Sequence, residues 1–473
     1  MKIDDMKYAL KFAVTMRLRT ALLLRSGDED EYSDNAIEMT PDLQNELGAE
    51  GIPRLHINGY VWASLLRRAL ARLQDGELMA AIIGKYPKED SKKTPEKKPQ
   101  GVSPLWCEAT FANFSKTEIN PGNKIDRQYG ATAATGLYNE EIVPQGHQAY
   151  LHFNYFYKNE DEIETIQNNL LAALWVVNEG IETIGGGWSY GFGRLEVCEV
   201  RQKTLNLEYA DQRQSLWGFE ILKHVEPEDW EKKKQELQSK KPKIVKPWIK
   251  YCVEAAIPFG QLLAIHTQTP PLDVSGYEKL PDTFVFTRTI IDEKGQPEQV
   301  PVITGKAFRQ AILSSSIERK LRTIAKPEEK TVCLDTTKSK GCICKRCLWF
   351  GATDRGGIIS VGDAVVHSSA ANVLNRIQLC EHTMQNMNLF SGEYLTSGTF
   401  NFEIIIDHSR EDVDTDTLIE EFEWVLGEMK KPEKGKEHIA PPGWYRLGAT
   451  TTCTGQIEIQ DWNIKKFAGE GLS

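Results

Sequence analysis

Four cysteines, Cys333, Cys342, Cys344 and Cys347, fall within fifteen consecutive positions. Ending in a Cys-x-x-Cys knuckle, they can close a tetrahedron around zinc, and with sulfur at every corner such a site would be structural, with no position left for water. The tight Cys342-Ile343-Cys344 step leaves open that His367 or His382 replaces one of them, and the first half, with only Cys107 in the corresponding region, should hold no metal. A second chemistry is offered by carboxylates in polar, extended stretches. Asp34 stands in Ser33-Asp34-Asn35-Ala36-Ile37-Glu38-Met39 and Asp282 in Pro281-Asp282-Thr283-Phe284-Val285, with Asp273 as a competitor. A loop carboxylate can assist proton transfer or bind a divalent ion such as magnesium. It can equally be one more solvated acid, since Asp28, Glu29, Asp30 and Glu31 precede Asp34. The third element is the run Ile184-Gly185-Gly186-Gly187-Trp188-Ser189-Tyr190-Gly191-Phe192-Gly193-Arg194-Leu195. Glycines permit positive φ and leave amides unshielded, which suits a phosphate cradle or, equally, a tight turn packed on a sheet. It is neither a P-loop, because no Gly-Lys-Ser or Gly-Lys-Thr closes it, nor a dinucleotide fingerprint, because its helix precedes it.

These groups recur in order along the chain. Asp34 answers to Asp282, Ile57-Asn58-Gly59 to Ile303-Thr304-Gly305, and Asp126-Arg127 to Asn375-Arg376, at offsets of 248, 246 and 249. The glycine run is faced, at an offset of 263 and in weaker form, by the stretch from Leu447 and Gly448 to Gly455. Near-constant offsets across ordered landmarks mean duplication, and 473 residues suit two domains. Each half reads as strand, Asp loop, helix, strands, helix, glycine loop, strand, an α+β order. Alternation predicts strands in Lys7–Leu24 and Tyr150–Phe156; helical spacing predicts helices over Tyr60–Leu73 and Leu170–Glu179. The boundaries read as 1–205 for the first domain, 206–247 for a lysine-rich linker, and 248–473 for the second. Residues 85–103 form a Lys/Glu/Pro insertion of the disordered type, and 331–351 a zinc insertion.

No apolar run approaches the roughly 20 residues of a membrane span, and the start lacks a secretory pattern, so a cytoplasmic protein without membrane partners is expected. Clustered cysteines speak for reduced thiols rather than a disulfide framework. A net charge of −10 argues against a protein held to nucleic acid by long-range attraction, while leaving room for a locally basic groove.

Taken together, the landmarks resemble the RAMP superfamily of CRISPR proteins, in its backbone branch. The glycine run resembles the family's C-terminal glycine loop, and Ile57-Asn58-Gly59 and Ile303-Thr304-Gly305 resemble its Ile-Pro-Gly helix start. Ile125-Asp126-Arg127 through Gly136-Leu137-Tyr138 to Pro144 looks like its thumb hairpin, and Cys347-Leu348-Trp349-Phe350-Gly351 like its cysteine segment. Two such units look most like the double-RAMP backbone subunit of a type III-D-like effector. The resemblance implies two tandem ferredoxin-like, RRM-type domains with thumb hairpins. It implies guide crRNA along the subunits, complementary target RNA cut at Asp34 and Asp282, and neighbouring RAMP proteins and a large subunit as partners. Candidate RNA contacts are Gly185, Gly186, Gly187, Gly191 and Gly193, with Arg67, Arg68, Arg127, Lys306, Arg309 and Arg376 as basic groups. The rivals are a scaffold that binds RNA without cutting, and a guide-processing endonuclease, which would use a His or Tyr base.

Overall fold

The computed structural model describes residues 6–24, 54–73, 103–108, 110–113, 117–126, 131–217, 220–239, 242–263, 265–267, 270–271, 273–277, 279–324, 333, 341–352, 355–379, 386–430, 446–447 and 455–470. Asp34, Arg127, His382, Gly448 and all but the last residue of the 85–103 insertion lie outside them.

The first unit runs β1 (Tyr8–Leu18), β2 (Arg54–Ile57), α1 (Gly59–Leu73), β3 (Leu105–Cys107), β4 (Thr110–Asn113), β5 (Glu118–Asp126), β6 (Ala131–Ile142), β7 (Gln148–Tyr157), α2 (Ile163–Glu179) and β8 (Leu195–Asn206). Along β1, Leu10, Phe12, Val14, Met16 and Leu18 are buried on one face, the period of two that a half-covered strand requires. That face meets Trp62, Leu65, Leu66, Ala69 and Leu70 of α1, each wholly buried and at helical spacing. Burial of each large side chain contributes about 1.5–3 kcal/mol. Helix α2 starts earlier than the periodicity indicates, at Ile163, and stops where Gly180 adopts φ +85°, a left-handed cap that a residue with a Cβ enters at a cost. The antiparallel sheet has the order β3-β7-β1-β8. With α1 after β1 and α2 after β7 this is the βαββαβ ferredoxin-like arrangement, and the fold class is α+β as expected.

After α3 (Trp230–Ser239) the second unit repeats it: β9 (Lys243–Ala256), β10 (His266–Thr267), β11 (Phe284–Val285), β12 (Thr287–Ile291), β13 (Pro297–Ile303), a helix opened by Gly305 and closed by α4 (Ser315–Ile324), α5 (Lys345–Phe350), β14 (Ile359–Val361), β15 (Ala364–Leu379), β16 (Asn386–Asp407), α6 (Thr415–Glu428) and β17 (Glu458–Glu470). The sheet places β17, β9 and β16 side by side, with β14 also on β16, matching β8, β1, β7 and β3. Between Gly305 and α4 the helix widens to a π-type turn over Phe308–Ser314.

The units share a wall rather than hang on a tether. Residues 206–247 carry α3, whose Trp230 and Leu237 pack into the first core, and β9 begins inside this stretch. Trp248 of β9, Ile405 of β16 and Phe467 of β17 also belong to the first core, with Trp248 stacked on Phe467 at 4.5 Å. Alternate residues of the same strand, Ile249, Tyr251 and Val253, belong to the second. The base of the β5–β6 hairpin also leans on the second unit. Arg288 donates to Asn120 Oδ1 at 2.7 Å, Lys306 donates to the Tyr138 hydroxyl at 2.8 Å, and Arg17 donates to the Ile291 carbonyl at 2.9 Å.

Candidate functional site

Asp282 lies on the loop leading into β11 and is exposed. Its carboxylate is held in one orientation: Oδ2 accepts from the Ser391 amide at 2.7 Å and from the Ser391 hydroxyl at 3.2 Å, while its own amide donates to the Ser391 carbonyl at 3.0 Å. Thr283 continues the pairing as an isolated parallel bridge to Gly392. The next residue of β16, Glu393, ties in two further segments. Its Oε1 accepts from the Tyr277 hydroxyl at 2.6 Å and its Oε2 from the Val285 amide at 3.0 Å. His266 Nε2 lies 2.9 Å from the Glu393 carbonyl; because a carbonyl only accepts, the proton sits on Nε2 and Nδ1 is the basic nitrogen. A Cβ added at Gly392 would stand 3.0 Å from Thr283 Oγ1 and 3.4 Å from His266 Cε1, so Asp loop, histidine and hairpin strand converge on one glycine.

Burial and the Arg376 charge tune the cluster. The Arg376 guanidinium lies 4.7 Å from the Tyr394 ring, against which His266 packs edge-on at 4.9 Å. Burial, chiefly, and then the Arg376 charge hold the His266 pKa below its ordinary 6.5, and the Glu393 carbonyl opposes them. The imidazole is therefore neutral near pH 7. An oriented carboxylate, a neutral imidazole with one free lone pair and a guanidinium are the groups needed to move a proton from a hydroxyl and to stabilise charge on a phosphoryl group. Asp273, the competing acid, caps its own turn by accepting from the Ser275 amide at 2.9 Å. Sequence reasoning named Asp282 and Arg376 and did not name His266, Tyr277, Ser391 or Glu393.

The glycine run has a different part from the open cradle considered above. The amides of Gly186 and Gly193 donate to the carbonyls of Leu23 and Ala21, those of Tyr190 and Phe192 to Gly187, and that of Gly191 to Trp188. Ser360 donates its hydroxyl to the Trp188 carbonyl, and a Cβ on Gly191, whose φ is +75°, would stand 2.4 Å from the Gly362 Cα. The loop is a wedge driven against β14, and the packed-turn alternative is the one its geometry fits, with Gly185, Gly186, Gly187, Gly191 and Gly193 serving backbone approach. Gly191→Ala should therefore cost about 1–3 kcal/mol from the left-handed φ, with more from the clash; a denaturant melt of the full chain checks it.

Several basic candidates are likewise engaged by the protein itself. Arg68, though exposed, donates to Glu182 Oε2 at 2.8 Å and to the Thr183 carbonyl at 2.6 Å. Arg309, only 2% exposed, donates to the carbonyls of Phe350 at 2.6 Å and Ile359 at 3.2 Å, and burial pushes its pKa down to about 10. Arg67 is half-buried with Nε covered, and burial lowers Lys306, which lies over the rings of Tyr138 and Tyr190. Arg376 keeps a partly open face.

Cys333, Cys342, Cys344 and Cys347 come together with their sulfurs all within 4.8 Å of one another, Cys344 and Cys347 being buried. A Zn–S bond of about 2.3 Å implies sulfurs roughly 3.8 Å apart in a tetrahedron, so the quartet fits such an ion. His367 lies on β15 opposite Thr399 and outside the quartet. Cys347→Ser should lower bound metal from one equivalent to a small fraction and lower the melting temperature, read by elemental analysis and a thermal melt.

A buried charge network joins the units. Glu403 of β16 accepts from Arg19 at 2.6 Å, Arg194 at 2.7 Å and Lys250 at 2.9 Å. Arg194, fully buried, also reaches Ser360 Oγ at 2.8 Å. Beside it Arg72 bridges Glu182 at 2.8 Å and both carboxylate oxygens of Asp407, at 2.8 and 2.9 Å.

Against known proteins, residues 57–196 match the family model of the RAMP superfamily, and no curated protein matches the chain. Among the described residues no helix is long and apolar enough to cross a membrane.

Proposed function

We propose, from the match of residues 57–196 to the RAMP superfamily, that this protein is a backbone subunit of a type III CRISPR effector that binds guide crRNA and cuts complementary target RNA. The superfamily is associated with CRISPR-Cas complexes and includes ribonucleases. The observation that carries the cutting role is that Asp282, His266 and Arg376 each contact the Ser391–Tyr394 stretch of β16. RNA supplies its own nucleophile. A ribose 2′-OH lined up with the adjacent phosphorus attacks it, His266 Nδ1 takes the hydroxyl proton, and Asp282 holds the strand and the leaving side in place. The P–O5′ bond breaks, the leaving oxygen takes a proton from water, His266 returns its proton to solvent, and Arg376 meets the charge gathering on the phosphoryl oxygens. The products are a 2′,3′-cyclic phosphate and a 5′-hydroxyl. Asp34 is assigned the same task in the first unit. The quartet of thiolates is assigned to zinc in a structural role, holding α5 against the second core. Neighbouring RAMP subunits and a large subunit are the expected protein partners.

The test is to assemble the complex with a guide and map cuts in a labelled complementary RNA for wild type, Asp34→Ala, Asp282→Ala and the double variant. Loss of one cut per substitution with RNA binding intact supports the reading, while survival of every cut makes the subunit a scaffold. His266 also lends weight to the guide-processing rival, and the same assay on an unpaired precursor RNA separates the two.

A further inference from the structure

A cleft of about 460 Å³ opens at the edge of the first sheet, where the start of α1 passes β3. Tyr60 and Ala63 of α1 line it with Trp106 of β3, Glu108 just beyond that strand, Asn154 of β7 and Leu216 of the segment after β8. Trp106 pairs with Asn154, and Asn154 with Lys11, across neighbouring strands. Since side chains alternate along a strand, the three form a row on the sheet face turned away from α1 and α2, whose own side takes Leu10, Phe12 and Phe153. Asn154 is 3% exposed, and among the described residues its Oδ1 has no hydrogen-bond partner. A buried carbonyl left unpaired destabilises the chain that carries it, so its place in the wall of a cleft points to an incoming N–H. The surroundings are dry. Burial raises the Glu108 pKa, opposed by the Lys11 charge, and burial, then that same charge, lower the His152 pKa to about 4. A hydrogen bond made there is stronger than one made in water. Tyr60, by contrast, is 70% exposed, while the Trp106 ring is set edge-on against Phe156 at 5.2 Å. The helix start is already capped, because the Tyr60 amide donates to Asn58 Oδ1 at 3.3 Å and the Val61 amide to the Asn58 carbonyl at 2.9 Å. The cleft therefore offers two aromatic rings and one carbonyl, which suit a flat ring with an N–H on its edge rather than a phosphate. The second unit is built differently. Counted from the carbonyl that faces each helix-opening glycine, Cys107 for Gly59 and Val361 for Gly305, Ser360 and Ile405 pair where Trp106 and Asn154 pair in the first. Arg194 occupies that place, donating to Ser360 Oγ at 2.8 Å.

We propose that this cleft binds an unstacked adenine base, its ring against Tyr60 and Trp106 and its exocyclic amine donating to Asn154 Oδ1. Base faces gain from aromatic side chains whatever the sequence, and the carbonyl adds the choice among bases. Uracil has no amine to give it, whereas adenine presents an amine beside N7, an edge that an asparagine amide meets with both its ends. The source of the base under the reading above is a nucleotide of bound RNA turned out of its stack, and the proposal rests on that reading for the source alone. A free adenine nucleotide carries the same chemistry.

The experiment uses the purified full chain without guide or target. AMP and UMP, and hexaribonucleotides of adenosine and of uridine, are titrated by saturation-transfer NMR against wild type, Tyr60→Ala and Asn154→Leu. Tyr60 is exposed, so its variant keeps the fold. Asn154→Leu replaces an unpaired buried amide by an apolar side chain of similar size, so its melting temperature without ligand should hold or rise. Wild type should bind the adenine ligand of each pair roughly ten-fold more tightly than the uracil one, and each variant should lose about ten-fold in adenine affinity. That loss beside an unchanged or raised melt is an outcome that a merely structural Asn154 does not produce. No adenine binding by wild type, equal affinity for adenine and uracil ligands, or adenine binding undiminished in both variants overturns the proposal. AMP bound as tightly as the adenosine hexamer supports the site and assigns it to a free nucleotide, while tighter binding of the hexamer assigns it to a base of RNA. Target cutting by the assembled complex without adenine selectivity here removes this site alone. Adenine binding by a chain that assembles no guide complex supports the site while overturning the RNA-guided reading.

Discussion

Replacing Asp282 by Ala is expected to slow one target cut by about 10²–10⁴-fold, the usual range for removing a group that takes part in proton transfer, with guide and target affinity unchanged. The carboxylate is exposed and, among the described residues, its side-chain bonds go to Ser391, so its loss removes little packing. His266→Gln should slow the same cut by roughly 10²-fold and change the shape of the pH profile as well as its height. Burial lowers the His266 pKa, so the histidine-dependent limb of wild type must lie below 6.5: the rate rises with pH as the imidazole loses its proton, then levels. In the glutamine variant that limb should vanish. Arg376→Gln should leave the limb in place and lower the plateau, because a cation that meets charge in the transition state does not itself titrate in this range. Single-turnover cleavage of a labelled target across pH 4.5–8.5 reads all three; a limb that persists unchanged in His266→Gln removes the histidine from the reaction.

What could be read from the chain follows from which interactions are local. Helix α1 was legible because Trp62, Leu65, Leu66, Ala69 and Leu70 repeat at the helical period. The cysteine quartet was legible because its ligands are near in sequence, and the duplication because Gly59 and Gly305 both open helices after a strand. His266 was not, since its bond to Glu393 spans 127 residues and nothing beside it in sequence announces the contact. The glycine run left a cradle and a packed turn equally open for a related reason: its composition reports close backbone approach, and what approaches Gly191 is Gly362 of the other unit. Arg309 stands four residues after Gly305, and the position suggests an exposed basic group. The turn of that helix instead points it at the carbonyls of Phe350 and Ile359. The charges around Glu403 belong to a surface between units, and no period within either half encodes it.

That surface makes the second large prediction. Glu403→Gln removes the acid shared by Arg19, Arg194 and Lys250, leaving Lys250 with Glu179 at 3.7 Å and Arg194 without a carboxylate among its hydrogen bonds. Stripping one partner from a buried ion cluster typically costs about 3–5 kcal/mol. The pH dependence gives an independent figure. Burial alone would raise the Glu403 pKa, but Arg194 first, then Arg19 and Lys250, bring it from 4.5 down to about 2. A depressed acid contributes stability that is fully present above its unfolded pKa and is lost as pH falls toward the folded one. For Glu403 the window is pH 4.5 to about 2, and a shift of that size corresponds to about 3 kcal/mol. Wild type should therefore lose stability steeply through this window, and Glu403→Gln should be less stable at pH 7 while losing less of what remains on acidification. Denaturant melts at pH 7 and pH 3 test both halves of the statement. Because Glu403 lies on β16, the strand that also carries Ser391 and Glu393, the same variant probes whether the two units must be locked together for the Asp282 loop to hold its geometry. Cleavage should weaken in Glu403→Gln under conditions where the chain is still folded, and full activity there would mean that the Asp282–His266–Arg376 cluster is set by the second unit alone.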